Sequence, residues 1–300
     1  MSQFYDAGQT STIWSRFAPH PPKPPVESHS RAGRNLPAAI ATAVILLSLV
    51  ALSLVFRLEL FLVLVIVFLT IGMWEITGAF MARNIRIPLI ALSIGQLVTL
   101  LGTWFFGIGV GLLLFLFATG IAMLWGLGQA NGVDRNFKDA IAGSFALAWI
   151  GLSGCFAVGL ADFPHARALL ISLILLPVAN DTGGWLAGIL FGKHPIAPKI
   201  SPKKSWEGFI GSLLLSLLVA WLTVGIGAGL SAGWVVAFGV ITPIIATAGD
   251  FSESMLKRDL GIKDMGSIFP GHGGMLDRLD SLLFCAPTFY FLFSIGLGTL

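Results

Sequence analysis

The sequence predicts an all-α polytopic membrane protein with about nine transmembrane helices. Of its 300 residues, 56% are hydrophobic and only 11% are charged, and the mean hydropathy is +0.88. Soluble domains contain about a quarter charged residues, so this composition disfavours an ordinary soluble protein. Apolar runs of about 20 residues, the length of helix needed to cross a hydrocarbon core about 30 Å thick, recur along the chain.

The first 35 residues lack such a run and are rich in proline and polar residues, as in APHPPKPPVESHSRAGRN. This composition predicts a disordered tail over 1–35, followed by a membrane domain over 36–300. A signal peptide is not expected, because the apolar sequence begins only at Leu36.

The spans follow from the length of each apolar run. The nine predicted spans are about 36–56, 59–82, 87–106, 108–130, 140–161, 166–190, 208–228, 233–250 and 281–299. Cys155 and Cys285 lie inside these runs without a CxxC spacing, so we expect small buried side chains rather than a disulfide or a zinc site.

Lysine and arginine predict the orientation, because they accumulate in cytoplasmic loops. With a cytoplasmic N-terminus, nine spans place the tail inside together with the loops 83–86, 131–139, 191–207 and 251–280. Sixteen of the eighteen Lys and Arg residues then lie inside, and only Arg57 and Arg167 lie outside. Both long polar loops are therefore predicted to face the cytoplasm.

The first polar segment covers 180–208 and reads NDTGGWLAGILFGKHPIAPKISPKKSWEG. Asn180 and Asp181 fall within the sixth span, where an ionisable group usually faces a polar cavity or a partner. A hydrogen-bonded pair that fixes helix packing is the alternative interpretation.

The loop that follows carries Ser201, Lys203 and Lys204. This Ser-Pro-Lys-Lys turn suits a phosphate site, although a lysine pair at a membrane surface is also typical of an anchor or a ligand for anionic lipid heads. Residues 205–208 read as a helix start, whose free N–H groups favour anions.

The second polar segment covers 250–281. If the eighth helix continues past Asp250, then Asp250, Ser254 and Lys257 share one face. A glycine-rich turn, FPGHGG, allows close backbone approach, and DRLDS then opens the last span with Asp277 and Asp280 on one helical face. Those two charges also suit a helix N-terminus, which is the simpler explanation.

Three carboxylates, Asp250, Asp277 and Asp280, are predicted at the cytoplasmic ends of two neighbouring spans. They would repel one another without a cation between them, and hard oxygen ligands suit Mg²⁺. Mg²⁺ commonly arrives with phosphates, which indicates phosphoryl or nucleotidyl transfer. The basic residues available to hold phosphates are Lys203, Lys204, Lys257, Arg258, Lys263 and Arg278.

His272 has three interpretations: a general base, a phosphate donor or a side chain that stabilises its turn. The sequence contains no Ser-His-Asp ordering, Walker loop or GxGxxG, so hydrolase and Rossmann functions receive no support.

Taken together, these motifs resemble the membrane phosphatidate cytidylyltransferases, or CDP-diacylglycerol synthases. The family signature is matched here by Ser254, Lys257-Arg258, Lys263-Asp264, 270–274 (PGHGG) and 277–280 (DRLD). A second family-like segment runs from Asp181 through GKHPIAPKISPKKSWEG, although the family often has Thr at Ser205 and Ala-Tyr near Gly184-Trp185. The resemblance is strong over 180–281 and only architectural before it.

The resemblance implies that phosphatidate and CTP give CDP-diacylglycerol and pyrophosphate at the cytoplasmic face of the inner membrane. It implies Mg²⁺, with a second, monovalent cation such as K⁺, at Asp250, Asp277 and Asp280. It further implies that Lys257 lies near the phosphates and that the protein is a homodimer without a nucleic-acid partner. Ser201, Asp181 and His272 join the basic residues as expected phosphate contacts, with His272 positioning substrate rather than acting as a base.

The same residues suggest two alternative functions. A CTP-dependent polyprenol kinase would need the same ions but would transfer the γ-phosphate to an alcohol and release CDP. A transporter of anionic solutes would use Asn180, Asp181 and Asp250 as a pathway, yet its charges would be spread through the membrane rather than gathered at one face.

Overall fold

In the computed structural model, which describes residues 18–22, 36–124, 137–198, 201–269 and 273–299, the chain forms ten α-helices. Their bounds are α1 Leu36–Phe56, α2 Leu58–Met81, α3 Leu89–Phe106, α4 Ile108–Leu124, α5 Phe137–Ala146, α6 Ser153–Gly159, α7 Ala166–Phe191, α8 Trp206–Ala220, α9 Ala232–Leu260 and α10 Leu276–Leu297. A π-helical stretch, Leu147–Leu152, joins α5 to α6, and another, Trp221–Gly227, extends α8.

Within the described ranges, seven helical runs are long and apolar enough to cross a membrane. They are Leu58–Met81, Leu89–Phe106, Phe137–Asp162, Ala166–Phe191, Trp206–Gly227, Ala232–Leu260 and Leu276–Leu297. The other two predicted spans, 36–56 and 108–130, coincide with α1 and α4, whose described apolar parts, Val44–Phe56 and Ile108–Leu124, are shorter. An all-α polytopic protein is thus confirmed, while the count of nine and the side of the N-terminus stay predictions.

A short β-hairpin joins α7 to α8, and the all-α prediction did not include it. Strand β1, Pro195–Ala197, pairs antiparallel with β2, Ser201–Ser205. The hairpin is anchored at its base by Glu207, whose carboxylate accepts hydrogen bonds from the backbone N–H groups of Lys193 and His194 at 3.1 and 3.2 Å. The sequence of the hairpin lacks the alternation of apolar and polar residues that is typical of strands, so the strands could not be predicted from it. The hairpin is instead stabilised by these hydrogen bonds.

The helices pack around two buried clusters, one between α2, α3 and the α5–α6 region and one centred on α7 to α10. Phe238, Phe289 and Phe293 stack within the second cluster, with ring centroids 4.3 to 6.4 Å apart. Cys155 and Cys285 are both buried and free, as predicted.

Small residues bring α7 and α8 into close contact. A Cβ added at Gly183 would lie 2.5 Å from the carbonyl oxygen of Gly211, and one added at Gly211 would lie 2.6 Å from that of Gly183. Such contact between helix backbones is typical of membrane proteins, where small residues allow close packing. The pair fixes the direction from which the hairpin and the start of α8 approach α9.

Most of the tail predicted to be disordered, residues 1–35, lies outside the described residues. Its described part, 18–22, places the His20 ring edge-on to Trp74 of α2, with ring centroids 5.6 Å apart.

Candidate functional site

The two polar segments found in the sequence line one cavity of about 510 Å³. Helices α7 and α8 with the hairpin form one side, and α9 and α10 form the other. The predicted site residues in its walls are Asp181, Ser201, Lys204, Asp250, Lys257, Asp277, Arg278 and Asp280. Residues separated by up to a hundred positions in the chain are therefore brought together around one cavity.

Lys204 links the hairpin to α9. Its Nζ lies 2.8 Å from Asp250 Oδ2 and 5.2 Å from the centroid of the Phe251 ring. Both partners of the ion pair are about 30% exposed, 30% for Lys204 and 28% for Asp250. Partial exposure leaves the lysine accessible to an anionic ligand in the cavity, because solvent screening keeps such a pair weak.

Lys257 makes two charged contacts at the opposite side of the cavity. Helix α9 continues past Asp250 to Leu260, as the predicted stripe of Asp250, Ser254 and Lys257 requires. The Nζ of Lys257 lies 3.1 Å from Glu253 Oε2, one turn earlier, and 2.8 Å from Asp277 Oδ1 on α10. An ammonium group is thus fixed between two carboxylates at the junction of the two helices.

Asp277 also organises the glycine-rich turn before α10. Its Oδ2 accepts hydrogen bonds from the backbone N–H groups of Met265 at 2.9 Å and Gly274 at 2.8 Å. Gly273 has φ +81°, a left-handed conformation that favours glycine. Pro270, Gly271 and His272 of this turn lie outside the described residues, so the expectation for His272 stays a prediction.

Asn180 and Asp181 form a hydrogen-bonded pair and also face the polar cavity, so both interpretations of this pair apply. Asn180 Nδ2 donates to Asp181 Oδ1 at 3.0 Å, and both residues line the cavity. Ser212 Oγ donates to the backbone carbonyl of Asn180 at 2.6 Å, so α8 braces the polar end of α7.

The predicted helix start at 205–208 is confirmed. Helix α8 begins at Trp206, and Ser205 is its N-cap, with its Oγ accepting a hydrogen bond from Gly208 N at 3.1 Å. Ser205 also lines the cavity, so this capped helix end lies beside Lys204 of β2, and the Trp206 N–H donates to the carbonyl oxygen of His194 at 2.9 Å.

Some predicted phosphate contacts lie elsewhere. Arg258 and Lys263 are exposed and are not among the described residues that line the cavity. The side chain of Lys203 lies outside the described part of the chain. Two acidic residues that were not predicted as site residues join the site: Asp264 lines the cavity, and Glu253 is the fully buried partner of Lys257. The spacing of Glu253, four residues before Lys257 on one helix, was the available signal.

An apolar cavity of about 430 Å³ adjoins the polar one. It lies between α1, α2, α6, α7 and α10, with Leu46, Phe61 and Phe68 among its apolar lining residues. Both cavities share four lining residues, which are Asp181, Asp277, Arg278 and Asp280. The charged residues therefore form a boundary between a polar space and an apolar one.

The carboxylates fit Mg²⁺ in chemistry, although two of the three are paired with a lysine. Among the described residues, no three His, Cys, Asp or Glu side chains converge as a ready metal site. Asp250 and Asp277 each pair with a lysine, whereas Asp280 is 8% exposed and accepts from Ser281 N. Within the same described part, buried Glu253 Oε1 makes no hydrogen bond. Hard oxygen donors suit Mg²⁺, so these residues can hold it once a lysine releases its carboxylate.

Comparison with known proteins gives consistent matches. Residues 37–295 match the model of the cytidylyltransferase family. The chain is 37% identical over 268 residues to a phosphatidate cytidylyltransferase of Mycobacterium leprae, covering 84% of this chain and 86% of the relative. It is 35% identical over 271 residues to the enzyme of that name from Mycobacterium bovis, covering 86% and 88%. With that of Thermotoga maritima it shares 36% identity over 187 residues, covering 60% and 68%.

Proposed function

Because this chain belongs to the cytidylyltransferase family, we propose that it acts as a phosphatidate cytidylyltransferase. It transfers the cytidylyl group of CTP to phosphatidate and gives CDP-diacylglycerol and pyrophosphate. The observation that carries the proposal is the wall of Asp181, Asp277, Arg278 and Asp280 shared by the polar and apolar cavities.

A shared wall of this kind suits a substrate that is charged at one end and apolar at the other. The phosphate of phosphatidate would face the polar cavity, while its diacylglycerol part would contact the apolar side chains of α1 and α2. CTP, which is wholly polar, would enter the polar cavity alone. This division supports a lipid substrate over a soluble phosphate acceptor.

The chemical step needs no general base. A phosphate oxygen of phosphatidate attacks the α-phosphorus of CTP, a new P–O bond forms, and the bond from the α-phosphorus to the bridging oxygen breaks. Pyrophosphate leaves with that electron pair. Because the attacking oxygen is already anionic, no proton has to be removed from it.

The protein must instead bring two anions together and hold them in line. Lys204, Lys257 and Arg278 surround the polar cavity from the hairpin, α9 and α10. Their charges offset those of the reacting phosphates, with Ser201 as a further hydrogen-bond donor. Each lysine can exchange its present carboxylate for a phosphate, because an ammonium group forms charge-assisted hydrogen bonds with either anion.

We assign Mg²⁺ to Asp250, Asp277 and Asp280, with a second, monovalent cation such as K⁺ as a further expectation. When bound, Mg²⁺ would supply additional positive charge to the phosphates. Release of Asp250 by Lys204, or of Asp277 by Lys257, would free the carboxylates for the ion.

The proposed location is the inner membrane, with the polar cavity open to the cytoplasm, where CTP is available. The charge distribution of the loops supports this orientation. A homodimer is also proposed, and size measurement of the protein in detergent tests it.

The test uses purified protein, phosphatidate in mixed micelles, and CTP labelled at either the α- or the γ-phosphorus. The α-label should enter the lipid fraction, and the γ-label should appear in pyrophosphate. Chelation with EDTA should stop the reaction and added Mg²⁺ should restore it. Transfer of the γ-label to a polyprenol, or solute transport without use of CTP, would contradict the proposal.

A further inference from the structure

A buried carboxylate on α2 contacts the turn that precedes α10. Glu75 is 1% exposed and lies in the mostly apolar helix α2, more than four turns after Glu59 in its first turn. Its Oε1 accepts a hydrogen bond from Met275 N at 2.9 Å, and its Oε2 accepts one from Leu276 N at 2.8 Å. The contact joins positions two hundred residues apart in the sequence.

These two N–H groups lie at the first turn of α10. The first N–H groups of a helix have no partner within the helix, and its N-terminus carries a partial positive charge. Met275, the residue at the N-cap position, makes no capping hydrogen bond with its own side chain. Glu75 therefore supplies from another helix the cap that the local sequence does not provide.

The surrounding chain is shaped to admit this carboxylate. A Cβ added at Gly266 or Gly274 would overlap the side-chain carboxyl of Glu75. Both glycines belong to the polar segment that lines the site. Part of the glycine content of this segment is thus explained by close approach of Glu75 rather than of a phosphate.

The candidate catalytic residues directly follow the capped turn in the sequence. Asp277 follows Leu276, and its Oδ2 accepts from Gly274 N within the same turn. Asp280 lies one turn further along α10. Within the described residues, Glu75 has no lysine or arginine within 4.0 Å, so its contacts here are those to the backbone of the turn.

We propose that Glu75 is a positioning residue for cytidylyl transfer, which fixes the N-terminus of α10 and thereby the placement of Asp277 and Asp280. The effect on catalysis rests on the proposed function. The capping of α10 by Glu75 does not depend on that function. A shift of about 1 Å in such groups lowers rate on the order of 100-fold. The loss should fall on kcat, since Glu75 does not line the polar cavity where CTP would bind.

Glu75→Ala should therefore lower kcat on the order of 100-fold with little change in KM for CTP. Glu75→Gln, which retains an acceptor oxygen, should recover part of that loss. Glu59→Ala is the matched control, because Glu59 lies exposed on the same helix. Melting temperature in detergent is measured for each variant, and rates are normalised to folded protein.

Hydrogen–deuterium exchange supplies a readout that does not depend on activity. Peptides containing 273–280 should exchange faster in Glu75→Ala than in the wild type, while peptides from α8 should not. Unchanged exchange in that turn, or wild-type kcat for Glu75→Ala, would overturn the inference. A wild-type protein that fails to convert phosphatidate would instead contradict the proposed function, and the exchange result would still test the cap.

A second substitution tests the same contact without altering the carboxylate. Gly266→Ala should displace Glu75 and lower kcat in the wild-type background. In the Glu75→Ala background it should have little further effect, because the two changes act on one contact. Additive losses would contradict the proposed coupling.

Discussion

Lys257 joins α9 to α10 through Asp277 and also contacts Glu253 on its own helix, and its side chain is only 14% exposed. Glu253 is fully buried, so its charge is poorly screened by solvent. Removing one partner from a buried ion pair costs about 3–5 kcal/mol, because the remaining charge is left without compensation. Here, loss of the ammonium group would leave two carboxylates facing each other.

We expect Lys257→Ala to lower kcat/KM on the order of 100-fold, as loss of a charge-stabilising group at a reacting centre does. It should also lower the melting temperature, whereas Lys257→Arg, which retains the charge, should melt closer to the wild type. Steady-state kinetics and thermal unfolding in detergent measure both effects.

The matched control is Lys138→Ala, since Lys138 is an exposed lysine on α5 outside both cavities. A wild-type kcat/KM for Lys257→Ala would remove this residue from the mechanism.

Residues close in sequence were predictable, and those joined by tertiary contact were not. The spacing of Asp277 and Asp280 on a helix start indicated their shared face, and α10 bears them in its first turns. Glu253 could have been identified from its spacing to Lys257. No local pattern pairs Glu75 with Leu276, and the sequence analysis did not identify Glu75, although a charge in an apolar span is the local signal that could have done so.

Among the elements, the α7–α8 pair depends on backbone contact. Its interface contains Gly183 and Gly211, and a Cβ at Gly211 would also overlap that of Ala187. Helix α7 carries Asp181, and the N-terminus of α8, capped by Ser205, lies beside it at the polar cavity. Separation of these helices would therefore move one whole side of the polar cavity.

Gly211→Ala should destabilise the protein by about 1–3 kcal/mol, the usual cost of adding atoms to a well-packed contact. Thermal unfolding in detergent measures the loss. Gly120→Ala is the control, because a Cβ at Gly120 meets no described atom within 4 Å. Equal melting temperatures for the two variants would show that α7 and α8 do not need this contact.

The hairpin between α7 and α8 shows where element prediction fails. Prolines and lysines dominate IAPKISPKKS, so neither helical nor strand periodicity is present. The two strands form because Glu207 holds Lys193 and His194, and because Lys204 reaches Asp250. In contrast, seven of the nine predicted spans overlap long apolar helices within the described residues, because length and composition are local properties of the sequence.

For the whole molecule, the charges of the loops predict the orientation of the protein in the membrane. Helix α7 rises about 39 Å over its 26 residues, long enough to cross a bilayer. A helix that crosses a bilayer has its two ends on opposite sides, and we expect this of α7. The predicted orientation places the residues before α7 outside and those after it in the cytoplasm.

Cysteine labelling in cells tests this orientation. Pro164→Cys should react with a membrane-impermeant thiol reagent in intact spheroplasts, and Lys193→Cys should react only after permeabilisation. Both positions are exposed, and the native Cys155 and Cys285 are buried, so the unmodified protein is the control. The reverse labelling pattern would invert the proposed topology.

The proposed function, in which phosphatidate and CTP meet at the wall common to the polar and apolar cavities, sets which concentrations should control the rate. One reactant reaches it from three-dimensional solution, while the other diffuses within a two-dimensional film. Turnover should consequently depend on the mole fraction of phosphatidate among the surrounding lipids rather than on its bulk molarity. Diluting the film with neutral lipid should slow the reaction, while adding more vesicles of the same composition should not.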